Sequence, residues 1–98
     1  MRLDKYLKVA RLVKRRTLAK ELCDAGRVKH NGRVAKAGSD ITIGSLLTLA
    51  YGNKEIDIRV MQIFNQARVD VANTMYDVLA ERRVEQALIQ KEFLDEDN

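Results

Sequence analysis

The 98-residue sequence predicts an α+β fold, in which a helical hairpin packs on a small twisted, mostly antiparallel sheet and a C-terminal helix follows. Three observations carry this. Apolar residues in the first 25 positions recur at helical spacing. An Asn-Gly pair stands between two short extended runs, the pattern of a tight hairpin. The stretches after it alternate apolar with polar residues, as half-buried strands do.

In "RLDKYLKVARLV", Leu3, Leu7 and Ala10 fall 3.6 residues apart with Tyr6 beside them, which predicts a first helix over residues 3–12. Asp4 lies in its first turn, where negative charge suits the helix dipole. Lys5, Lys8 and Arg11 fall away from the apolar stripe. A second helix is predicted from Arg15 or Thr17 to Ala25, burying Leu18, Ala19, Leu22 and Ala25. Gly26 ends it, since glycine takes positive φ at C′ without a Cβ penalty. Thr17 is placed to cap the start, although Lys20 three residues on leaves no full capping box.

Asn31-Gly32 predicts a type I′ hairpin. "DITIGSLLTLAYG" and "NKEIDIRVMQI" read as two further strands joined through "YGNKE", with Ile56, Ile58 and Val60 on one face. A last helix is predicted from Val69 to Gln90, its stripe made by Val71, Ala72, Met75, Val78 and Leu79. The chain thus divides into a domain over residues 1–63, a helical extension over 64–91 and an acidic, disordered tail over 92–98.

Composition narrows the function. No apolar run approaches the roughly 20 residues of a membrane helix, and "MRLDKYLK" lacks the apolar centre of a signal peptide. Cys23 is the single cysteine, so no internal disulfide forms and a cytoplasmic setting is expected. Cys23 reads as core packing, since nothing beside it would activate a thiol.

The charge is divided along the chain. Residues 1–36 carry twelve basic and three acidic side chains, a net +9. Residues 37–98 carry six basic and eleven acidic, a net −5. Such a split points to a polyanion partner met by one face only.

Catalytic chemistry has little to build on. His30 is the only histidine, and no Cys, His or paired carboxylate stands near it at ligand spacing. "GRVKHNG" fits no phosphate-cradling loop, and Asp95, Glu96 and Asp97 cluster only in the tail. No nucleophile has a base beside it. A non-enzyme with no cofactor and no metal is expected.

What remains is "KRR". Lys14, Arg15 and Arg16 crowd the start of the second helix, whose free N–H groups and dipole favour phosphate. Arginine adds a planar fork that fits phosphate oxygens and stacks on bases.

The run "RLDKYLKVARLVKRRTLAKELCDAGRVKHNG" resembles the S-four-type RNA-binding domain, the αL motif. That resemblance implies a helical hairpin on a small twisted sheet, with RNA read by the two helices and the following hairpin. It runs from Met1 to about Ile63. With "AKAGSDI" and "VANTMYDVL" added, the chain looks like the RqcP family of small stand-alone members.

The resemblance implies binding to obstructed large ribosomal subunits through rRNA and peptidyl-tRNA. It also implies assistance to RqcH in adding C-terminal alanine tails, with a monomer off the ribosome. Arg2, Lys5, Lys8, Arg11, Lys14, Arg15, Arg16, Thr17, Lys20, Arg27 and Asn31 are then the RNA-binding set, with Asp4 orienting a nearby arginine.

Three positions depart from the pattern. His30 stands where an apolar residue is usual, Ser45 where Asp is usual, and the C-terminal extension is acidic. The acidic end sets the chain apart from the related heat-shock protein Hsp-fifteen, whose tail is basic. Other readings are an Hsp-fifteen-like recycling factor, a generic structured-RNA module, a structural ribosomal protein or an RNA-modifying enzyme.

Overall fold

The computed structural model describes residues 1–83. Helix α1 spans Leu3–Val9 and α2 spans Arg16–Asp24. Strands β1 (Val28–His30), β2 (Arg33–Val34), β3 (Leu46–Tyr51) and β4 (Lys54–Val60) follow. A one-turn helix α3 (Val69–Ala72) and strand β5 (Tyr76–Arg83) complete the order. The five strands form one antiparallel sheet in the order β2-β1-β3-β4-β5. The chain is an α+β protein.

One face of the sheet is apolar and carries the helices. Leu47, Leu49, Ile56, Ile58 and Val60 are buried there with Leu3, Tyr6 and Leu7 of α1 and Ala19, Leu22 and Cys23 of α2. The alternate residues Thr48, Glu55, Asp57 and Arg59 face the other way, as the two-residue strand period requires. Tyr6 is fully buried, and its hydroxyl donates to the Met75 carbonyl at 2.8 Å. Burial also pushes its phenol above the ordinary value of 10.0, so the donor proton is held at any physiological pH.

Both helices end in the same device. At α2, Gly26 sits at φ 74°, the Arg27 amide donates to Leu22 and the Gly26 amide to Cys23. This pair of bonds is the Schellman motif. At α1 the Leu12 amide donates to Leu7 and the Arg11 amide to Lys8, with Arg11 itself at φ 61°. The helix stops at Val9 instead of residue 12 even though positive φ at a non-glycine residue is costly.

The Asn31-Gly32 turn has both residues at positive φ and pairs His30 with Arg33, as a type I′ hairpin demands. His30 meets Ser45 at 3.0 Å between its Nε2 and the serine Oγ, and the Ser45 oxygen also accepts from the Thr42 amide. His30 and Ser45, two of the three departures that the resemblance implies, therefore partner each other.

Three further expectations need correction. Leu18 and Ala25 are exposed, while Ala19, Leu22 and Cys23 are buried as expected. The N-cap of α2 is Arg15, with no side-chain cap, and Thr17 lies inside the helix.

The third correction is the C-terminal helix, which over the described residues is one turn followed by a strand. Ala72 and Met75 of its expected stripe are buried, but Val78 and Leu79 run along β5. The open edge of β4 decides this. Antiparallel pairing sets Glu55 against Arg82, and Arg82 donates to Glu55 and Asp57 at 2.8–3.1 Å. Those cross-strand bonds, with a ladder of backbone pairs broken only by a register shift at Asp57/Ile58, override the helical spacing. The rest of the expected helix and the 92–98 tail lie outside the described residues.

Candidate nucleic-acid interface

Asp4 is the centre of the site. Its side chain is 5% exposed, in the first turn of α1, where the fold of residues 1–4 places it beneath two guanidiniums. Arg2 donates to it through Nε at 3.2 Å and Nη2 at 3.3 Å, and Arg16 approaches at 3.4 Å. Burial works to raise the carboxyl, but the bonds from Arg2 and Arg16 outweigh it and hold Asp4 below its usual 3.8. The two arginines keep about half of their side-chain surface in solvent. Asp4 thus fixes two cationic forks at the surface while using only part of their donor capacity.

The start of the chain is tied down rather than frayed. The Leu3 and Asp4 amides donate to Ser39 and Ala37, the Ile41 amide to Met1, and the Met1 ammonium pairs with Asp40 at 2.7 Å. The Arg2 guanidinium lies across Gly38, where an added Cβ would stand 3.7 Å from it.

The other basic residues fall into three groups. Lys5, Lys8 and Arg11 climb α1 toward the loop after β4: Lys5 reaches Asn65 at 3.4 Å and Arg11 the Ala67 carbonyl at 3.3 Å. Lys14, Arg15 and Thr17 border an open cleft at the start of α2, with Leu18 and Glu21. Lys20 is one turn beyond Arg16 and pairs with Asp24 at 3.1 Å, so part of its charge is answered within α2.

Arg27 and Asn31 stand apart. Arg27 follows α2, past the C-terminal end of the helix that Arg16 begins. Asn31 uses its side-chain oxygen on the Leu46 amide at 2.9 Å, which locks the hairpin to β3 and leaves only its NH₂ for a ligand. Cys23 is buried, and burial lifts its thiol to about 11, which suits packing and not reactivity.

Sequence reasoning missed Asn65, Gln66 and Ala67, which come against α1 from more than fifty residues away. No local pattern marks such a contact.

Comparison with known proteins adds the decisive observation. The S4 domain model matches residues 1–47. The chain is 43% identical to the RQC P-site tRNA stabilizing factor of Streptococcus pneumoniae, over 88% of this chain and 98% of that one. It belongs to that family.

The Bacillus subtilis protein of the same name is 46% identical over 86% of this chain and 98% of its own. Among solved structures, a trimeric heat shock protein 15 from Vibrio cholerae superposes with a TM-score of 0.73 at 33% identity. It covers 95% of this chain and 90% of that one. The similarity to the stabilizing factors extends well past the S4 match, into the region of β4, α3 and β5.

Proposed function

We propose that this protein is a non-catalytic RNA-binding factor of bacterial ribosome quality control, working in the cytoplasm. It binds obstructed large ribosomal subunits through rRNA and peptidyl-tRNA and assists RqcH in extending stalled chains with alanine. The carrying observation is the pair of half-exposed guanidiniums, Arg2 and Arg16, held by one buried carboxylate at the start of the S4 region. The name shared by the family supports a target on tRNA in the ribosomal P site.

The physical logic follows from that cluster. Guanidiniums held in place lose less freedom on meeting phosphate than free lysines do. Their fork matches two phosphate oxygens or a base face. The protein then acts as a brace: it stabilises one arrangement of RNA, and the ribosome performs the bond chemistry.

The test is a reconstituted tailing reaction with obstructed large subunits, RqcH and alanyl-tRNA. Alanine tails that lengthen on adding this protein support the reading. Tails of equal length with and without it contradict the proposed assistance.

A further inference from the structure

The loop that carries Asn65, Gln66 and Ala67 lies along the C-terminal half of α1 and leaves a cleft of about 340 Å³ between them. Lys8, Val9 and Arg11 form the helix side, and Asn65, Gln66 and Ala67 form the loop side. Among the described residues, no acidic side chain lines it. The three loop residues lie outside the S4 match, so the cleft is an addition to that domain's own surface.

Each wall offers a different chemistry. Arg11 is held twice, by the Schellman turn and by its Nη2 bond to Ala67 at 3.3 Å, and it keeps further N–H donors free. Lys8 is exposed beside it. Opposite these cations, the Asn65 oxygen accepts from Lys5 at 3.4 Å, which orients its amide. The Asn65 NH₂ and the Gln66 amide have no partner among the hydrogen bonds of the described residues. Val9 and Ala67 add an apolar surface, each partly buried against the core.

Cations on one side and free amides on the other, across a space near the lower bound for small-ligand sites, fit a single nucleotide. A stem is far too wide. Amide groups present the paired donor and acceptor that a base edge requires, and RNA is read chiefly through bases that are unpaired.

Resting on the RNA-binding function above, we propose that this cleft receives one unpaired nucleotide of the RNA partner. Lys8 and Arg11 hold its phosphate, and Asn65 and Gln66 read its base. The site gives the factor a means of recognising a particular nucleotide, in addition to the charge-driven grip of Arg2 and Arg16.

The experiment uses large ribosomal subunits carrying peptidyl-tRNA, with base-specific chemical probes of unpaired nucleotides. Wild-type protein is compared with the double variant Asn65→Ala and Gln66→Ala, whose fold is checked by thermal melting. Wild type should shield at least one unpaired base. The double variant should bind about five- to tenfold more weakly and, at saturation, leave that base as reactive as in free subunits.

Identical shielding by the two bound proteins contradicts the cleft assignment alone. Wild-type protein that does not bind these subunits at all overturns the RNA-binding function and the cleft with it.

Discussion

Asp4 repels phosphate and yet sits at the heart of the basic surface, because a charge that orients other charges is worth more there than one more cation. Its carboxylate is buried, accepts from Arg2 and forms an ion pair with Arg16. Asp4→Asn keeps the shape and removes the charge, and should cost about 1–3 kcal/mol in urea unfolding, as loss of a charged buried bond does. Since those bonds depress the Asp4 carboxyl, the stability they provide is fully present above pH 3.8 and is lost as pH falls through the lower folded value. An acid titration of wild type and Asp4→Asn should therefore begin to converge as pH falls below 3.8 and meet only beneath the lowered folded value. Arg16→Ala removes a half-exposed partner, so stability should change by less than about 1 kcal/mol while subunit association is lost. Full association by a folded Arg16→Ala protein would show that the guanidinium pair is not the contact.

At the scale of elements, local signals with a single physical meaning were legible in the sequence. Gly26 ends α2 and Asn31-Gly32 turns the hairpin because positive φ is inexpensive there. Signals that depend on a neighbour were not. Leu18 and Leu22 both fit helical spacing, and tertiary packing leaves Leu18 exposed while Leu22 and Cys23 are buried. The residues of β5 have helical periodicity too, but the unpaired edge of β4 and the Arg82 bonds to Glu55 and Asp57 draw them into the sheet. Arg11 as a helix-ending residue carries no sequence mark at all. Two variants test these packing assignments. Leu22→Ala should destabilise by about 2–5 kcal/mol, measured by urea unfolding. Arg11→Gly should leave the turn intact and stability equal or higher by up to about 1 kcal/mol, since strain at positive φ is relieved.

The whole molecule separates its charges. The helical hairpin holds Lys5, Lys8, Arg11, Lys14, Arg15, Arg16 and Lys20, and the far face of the sheet holds Glu55 and Asp57 in bonds with Arg82. Binding driven by phosphate contacts should weaken about tenfold or more between roughly 50 and 200 mM salt, as counterion release requires. Arg82→Ala, on the other face, should lower the melting temperature and leave that salt dependence unchanged. The central claim is that the Asp4-anchored arginines bring this protein to obstructed large subunits. The most direct test is sedimentation of tagged wild-type and Arg16→Ala proteins from cell lysate on a sucrose gradient, with each fraction probed for peptidyl-tRNA. Wild type should enrich with large subunits that retain peptidyl-tRNA, and Arg16→Ala should remain at the top of the gradient. An even spread of wild type over all ribosomes, or its absence from every ribosomal fraction, would contradict the account.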